Sequence, residues 1–429
     1  MMPDFQVSLE VADEAEAREC EKLYLTSHGG TCIMLNNALR HNRARRVILP
    51  FFHYILHVPP NQEALMISFE PTEEQKMLID AVRRFSEHDL RAVYRESDEE
   101  GHIPEDVIRK GWEIGLIPGG IPEQYMGFAE EHSAVTGALF AEELAWGDLS
   151  ISMHLLAPGL VAFPILQCGS DEQKERYLPQ FCDVGYKSGT AALIEPNVQF
   201  DPQALRTTAV LDGDTYVLNG TKTLVPLAAE ADLILVYAAE DGKTQGFLLE
   251  SGAEGLKVGE REKNMGIKAL ATYGLILEGC RVPTTQKLGN GAGCDFAKLL
   301  AYSRVAVSAM AVGVARAAYE YALEYAKERQ AFGEPIASRQ AIAFMLAEMA
   351  TDIDGARLMV WEAAWRLDKG KDATKEAFLA KLFTDDMVVR VTDGGVQVLG
   401  GHGYIREHPV ELWLRNGRGF TTFDGLAMV

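Results

Sequence analysis

The stretch TTAVLDGDTYVLNGTKTLVPLAAEADLILVYAAEDGKTQGFLLE, residues 207–250, decides the fold. It is rich in β-branched and aromatic residues. It is broken at Asp212-Gly213, Asn219-Gly220 and Asp241-Gly242, pairs that tolerate the left-handed backbone a tight hairpin turn demands. Short runs between such pairs predict antiparallel strands, and the same texture continues to ATYGLILEGCRVP, residues 271–283. On either side the period changes. Upstream, Thr72 precedes acidic residues and then Met77, Leu78, Ala81, Val82 and Phe85 at three-to-four spacing, which predicts a capped helix. Further helices are predicted over residues 104–114, 134–143, 159–168 and 170–177. Downstream, Leu300, Val305, Ala309, Val312, Arg316, Tyr319, Leu323 and Ala326 form the stripe of a buried bundle helix, and two more long helices fit residues 338–367 and 375–399. Met345, Met349, Met359, Trp361 and Trp365 read as core of that bundle.

The chain is therefore expected to be α+β, in four parts. Residues 66–187 are a helical domain, residues 188–287 an antiparallel β barrel or sandwich, and residues 288–429 a four-helix bundle. Residues 1–65, with a basic run HNRARR and Pro59-Pro60, read as a loosely ordered extension that the natural product could lack if it starts at Met66.

With 429 residues, 47% of them hydrophobic and 24% charged, the chain has enough apolar content for a large core over several domains. Its net charge of −21 opposes attraction to nucleic acid or anionic lipid. No uninterrupted apolar run reaches the roughly 18 to 20 residues of a membrane span, residues 47–58 being broken by Pro50, His53 and His57. The six cysteines, Cys20, Cys32, Cys168, Cys182, Cys280 and Cys294, form no CxxC pair and read as separate reduced thiols, without a metal site. The opening residues carry no signal or transit pattern, so the expected location is cytoplasmic.

Six blocks in order resemble the flavin-dependent acyl-CoA dehydrogenases, and the resemblance runs from about Ser68 to Gly425. GSDEQKERYLPQF stands in the first domain. ALIEPNVQFD and NGTKTLVPLA stand in the second, where the family has ALTEPxAGSD and NGxKxWITNG. KERQAFGEPIASRQAIAFMLAEM, GGVQVLGGHGYIREHPVE and RNGRGFTTFDG stand in the third. LGGHGY follows a predicted helix, not a strand, so it is no dinucleotide fingerprint of the Rossmann kind.

The resemblance implies a tetramer with each FAD lying between subunits. Arg329 then matches the arginine that reaches the neighbour's pyrophosphate, Phe332 and Gln340 belong to the same block, and Gln397, Gly400 and Gly401 match the segment approaching the cofactor through bare backbone. That donated half matches the family. The accepting half departs from it: Ile194 replaces a threonine that meets the flavin, Phe200 a serine, and Leu224 and Pro226 the aromatic and threonine of WIT, leaving the backbone amides of Leu193 and Ile194 to bind. Asp424 stands where most members carry the glutamate base, and Arg304 matches a residue near the pantetheine arm. Aspartate is shorter by about 1.5 Å, and misplacement of about 1 Å can cost on the order of a hundredfold in rate. The sequence ends at Val429, soon after this loop, so the loop is expected to be poorly held.

Three readings are open to these residues. The first is an FAD-dependent acyl-CoA dehydrogenase, or enoyl-CoA reductase in reverse, with an electron-transfer flavoprotein as acceptor. The second is a non-catalytic subunit of a heteromeric acyl-CoA dehydrogenase that completes its partner's FAD site. The third is a CoA-thioester binding module without redox chemistry.

Overall fold

The computed structural model describes residues 70–429, and the expectations for residues 1–65 lie outside the described residues. The chain divides into two units at Ile67 and Ser68, and all the described elements belong to the second. Seven helices come first: α1 (Glu73–Phe85), α2 (Arg91–Glu100), α3 (Glu105–Glu113), α4 (Ala134–Gly147), α5 (Leu149–Leu156), α6 (Gly159–Cys168) and α7 (Asp171–Tyr177). Both α1 and α7 begin with a full capping box, Thr72 with Gln75 and Ser170 with Gln173, which satisfies orphan amides at each helix start.

Seven strands come next: β1 (Gly189–Ala192), β2 (Thr208–Asp212), β3 (Thr215–Pro226), β4 (Leu233–Glu240), β5 (Lys243–Glu250), β6 (Leu256–Arg261) and β7 (Thr272–Pro283). Two of the three turn pairs behave as read. Asp241 and Gly242, both at positive φ, close the two-residue hairpin between Glu240 and Lys243, and Gly213 turns β2 into β3. The third does not. Asn219-Gly220 lies inside β3 as a bulge, where the register against β7 shifts. Gly220 takes φ +154°, and a Cβ there would lie 2.5 Å from the Thr207 hydroxyl, so glycine serves a close backbone approach instead of a turn. The sheet is also not purely antiparallel, since β1 and β2 each pair with β4 in parallel.

β4 explains the unbroken apolar run LILVYA. Ile234, Val236 and Ala238 point into a core enclosed by the sheet, while Leu233, Leu235 and Tyr237 point into the core shared with the helices. A strand buried on both faces loses the usual alternation.

The third part holds α8 (Phe296–Glu328), a small hairpin of β8 (Gln330–Ala331) and β9 (Glu334–Pro335), then α9 (Gln340–Asp368), α10 (Thr374–Leu399), the single turn α11 (Gly401–Tyr404) and α12 (Val410–Gly417). α8 is long and apolar enough by composition to cross a membrane, contrary to the count of uninterrupted runs, but 83% of its most apolar window is buried inside the fold. It packs on α4 so closely that a Cβ on Gly313 would meet the Glu142 carbonyl at 2.2 Å. Around that crossing Arg316 binds Glu142 and Glu143, and Arg357 and Arg83 bind the same two carboxylates from α9 and α1. Of the methionines and tryptophans read as core of α9, Met349 is fully buried. Met345, Met359, Trp361 and Trp365 are half-buried, because α9 is an outer helix of the bundle.

Candidate active site

The loop after α12 brings Asp424 to α8. Arg304, nine residues into that helix, grips both carboxylate oxygens, Nε to Oδ1 at 3.3 Å and Nη2 to Oδ2 at 3.1 Å. This two-point geometry fixes the carboxylate plane, which a lysine would not do. The Phe378 ring of α10 lies 5.2 Å from the guanidinium. Arg304 and Phe378 line an open cleft of about 500 Å³, closed on its other side by Asp201, Pro202 and Gln203 from the β domain and by Asp372, Thr374 and Lys375.

The residues next in sequence to this pair face the other way. Ser303 and Gly425 line a narrow, mainly apolar cavity of about 20 Å³ together with Leu193, Tyr237, Leu299, Leu300 and Met428. The Ser303 hydroxyl is buried without a hydrogen-bond partner. The Asp424–Arg304 pair thus marks the boundary between a wet cleft and a dry slot.

The loop is well held, against the expectation. Residues 426–429 are between 1% and 3% exposed, and the buried Lys381 ammonium donates to the Phe420 carbonyl at 2.8 Å. Gly425 takes φ +75°, and any Cβ there would come 2.5 Å from Leu193, so the loop meets the β domain through a glycine.

Leu193 and Ile194 are both buried. Their carbonyls face inward: Lys222 Nζ donates to Leu193 O at 3.1 Å and Thr223 N donates to Ile194 O at 3.0 Å. Lys222, itself 2% exposed, also pairs with Glu195 at 3.0 Å, and Glu195 accepts from the amides of Arg206 and Thr207. Burial pushes the Lys222 ammonium down to about 8. Burial alone would raise the Glu195 carboxyl, but Lys222 and those amides hold it below its usual range. Glu262 accepts from the Thr223 hydroxyl and from the Leu224 amide, and Leu224 sits at φ +53°, strained for a branched residue. Glu195, Lys222, Glu262, Phe378 and Met428 were not singled out from sequence. The signal for the first two was present, as charges inside otherwise apolar strand-like blocks.

The remaining sequence-derived residues gather elsewhere. Arg329 caps α8, Phe332 tips the small hairpin at φ +56°, Gln340 opens α9, and Gln397, Gly400 and Gly401 close α10. All six are exposed. Tyr325 on α8 bonds His402 Nδ1 at 2.7 Å, which ties the ends of α8 and α10 into one surface.

This surface fits one end of a dinucleotide. Arg329 makes no side-chain hydrogen bond or ion pair among the described residues, and nothing lies within 4 Å of where a Cβ would stand on Gly400 or Gly401. The ring end is different in kind: with Ile194, Phe200 and Pro226 in place of polar groups, it offers backbone, and Asn197 in the same loop keeps a buried, unpartnered Oδ1.

Three family models cover this unit almost end to end: the N-terminal, middle and C-terminal domains of acyl-CoA dehydrogenase match residues 72–184, 190–280 and 291–428. The chain belongs to the acyl-CoA dehydrogenase family. It is 36% identical over 367 residues to subunit CarC of the caffeyl-CoA reductase–Etf complex of Acetobacterium woodii, covering 83% of this chain and 96% of that one. It is 35% identical to the mitochondrial short-chain specific acyl-CoA dehydrogenase of Rattus norvegicus, over 84% of this chain and 89% of that one. The solved butyryl-CoA dehydrogenase of Megasphaera elsdenii superposes with a TM-score of 0.77 at 33% identity, covering 83% of this chain and 96% of that one. As an acyl-CoA dehydrogenase it is an oxidoreductase of CH–CH bonds beside a CoA thioester, in the direction of dehydrogenation or of enoyl reduction. The family implies a flavin.

Proposed function

We propose that Asp424 is the base of this acyl-CoA dehydrogenase and that FAD is the flavin, shared between neighbouring chains of one oligomer. The observation that carries the reading is the Asp424–Arg304 pair standing between a wide cleft with charged walls and a narrow apolar slot. A CoA thioester has that division: a long polar arm for the cleft, a short apolar acyl group for the slot, and the reacting carbons where the two meet. Arg304 holds the Asp424 carboxylate oriented, and an oriented base is placed for the α proton. Proton transfer to Oδ neutralises the carboxylate and loosens its hold on Arg304. Apolar walls keep water from the site, and the unpartnered Ser303 hydroxyl is left free to meet a polar atom of the substrate. When bound, the flavin supplies hydride acceptance from the β carbon.

Arg329, Gln340 and Gln397, with the bare backbone of Gly400 and Gly401, would hold the adenine and pyrophosphate end, and the 193–194 backbone the ring end. Arg304 and Arg329 stand on one helix 25 residues apart, a rise of roughly 37 Å at 1.5 Å per residue. One flavin dinucleotide does not span that, which supports completion of each site by a neighbour. The relative named as part of a reductase–Etf complex supports an electron-transfer flavoprotein as redox partner.

The test is anaerobic bleaching of flavin absorbance by an acyl-CoA in the purified, flavin-supplemented chain. Asp424→Asn is expected to keep the flavin and lose bleaching by at least about a hundredfold. Equal rates in parent and variant would remove Asp424 as base. A chain that binds no flavin under any supplementation would instead favour a subunit that completes a partner's site.

A further inference from the structure

We infer that Met428 forms the floor of the acyl slot and restricts this enzyme to acyl groups of about three to four carbons. The inference rests on the proposed placement of the acyl group beside Asp424.

The slot is filled from within by the chain itself. Residues 426–429 run along the inner face of the helical domain and are buried throughout, each no more than 3% exposed. Space is made for them on α4: a Cβ on Gly137 would stand 2.7 Å from the Val429 Cβ, so a glycine there accommodates the segment. Met428 then closes the cavity against Leu300 of α8 and Leu193 of β1's extension, leaving about 20 Å³. A cavity needs about 10 to 15 Å³ to hold a single water. With the α and β carbons of a substrate at the Asp424–Arg304 pair, such a space takes about one further small group. A longer chain must push into a packed wall, and interiors resist that strongly.

Methionine is an apt closing residue, being unbranched and able to fill an irregular gap. Cutting it back to alanine removes the side chain beyond Cβ and lengthens the slot by about two to three carbons.

The test is calorimetric titration of the assembled, flavin-supplemented chain with propionyl-, butyryl-, hexanoyl- and octanoyl-CoA, comparing parent, Met428→Ala and Met428→Leu. Leu300→Ala opens the opposite wall and serves as a second opening variant should Met428→Ala fail to fold. The parent is expected to bind butyryl-CoA at least about tenfold tighter than hexanoyl-CoA, the scale on which an apolar pocket discriminates by chain length. Met428→Leu should preserve that ratio, and either opening variant should bring it to within about threefold. Length-independent binding by the parent, or a ratio unmoved in both opening variants, overturns the role of Met428 while leaving the acyl-CoA site intact. Failure to bind any of the four thioesters overturns the acyl-CoA placement itself, and the floor with it.

Discussion

At the scale of single residues, the site turns on where charges are allowed to be buried. Asp424 and its arginine are both shielded and are matched to each other. Asp148 is not matched in this way. It is 3% exposed and caps α5 by accepting from the Ile151 amide at 2.9 Å. Burial pushes its carboxyl up to about 6, with Asp98 adding in the same direction, against the pull of the capped amide and of Arg91. The folded state therefore holds a proton that the unfolded chain releases near pH 4. The stability this contributes is full below that point and is lost as the pH rises through about 6. The difference corresponds to about 3 kcal/mol. Asparagine caps equally well without the charge. Asp148→Asn should therefore stabilise the protein at pH 8 by up to about that amount and have little effect at pH 4.5. Urea unfolding at the two pH values checks this, and an equal shift at both would show that Asp148 does not titrate in this range. None of it was legible in sequence, because AWGDLS gives no sign that its aspartate is buried at the joint between two helices. Asp424 and Arg304 were both legible, from motif position. Their contact across 120 residues was not, since it depends on how α8 and the loop after α12 meet.

At the scale of elements, the capped helices were readable because caps and apolar period are local features, and α1, α6 and α7 lie where the spacing puts them. Asn219-Gly220 misled because a turn pair and a bulge pair make the same local demand, and only the partner strand decides between them. The segment proposed to face the flavin was readable as a set of departures from the family pattern. What holds it was not: a buried ion pair stitching β1's extension to β3. Lys222 and Glu195 are respectively 2% and 4% exposed, and the lysine also reaches the Leu193 carbonyl. Removing one partner of a buried pair leaves the other charge uncompensated, at a cost of about 3 to 5 kcal/mol. Glu195→Leu should therefore destabilise by about that amount, whereas Glu195→Leu with Lys222→Met should recover most of it. Urea midpoints of the four proteins in the cycle give the coupling directly. A double variant no more stable than the single one would show that the pair holds the segment through its backbone contacts, not through mutual charge compensation.

At the scale of the whole molecule, the proposed function puts two half-sites towards opposite ends of α8, around Arg304 and around Arg329, neither completing the other within a chain. The donated surface of Arg329, Phe332, Gln340, Gln397, Gly400 and Gly401 is exposed, and Phe332 is 96% so. The Asp424 half is enclosed. If each flavin is held by the enclosed half of one chain and the donated half of its neighbour, defects in the two halves should complement. Arg329→Ala leaves Asp424 intact but impairs the flavin of the neighbouring site, and Asp424→Asn does the reverse. Each variant alone is expected to show little flavin bleaching by butyryl-CoA. When the two are denatured together and reassembled, mixed pairs contain one site with both defects and one with neither. Random pairing across a twofold interface then restores about a quarter of the parental sites. Restoration should track the mixing ratio and be absent when the variants are mixed without dissociation. Full assembly into mixed oligomers with no recovery of bleaching would show that each chain holds its own flavin. The separation along α8 would then have to be bridged by residues other than those at its far end.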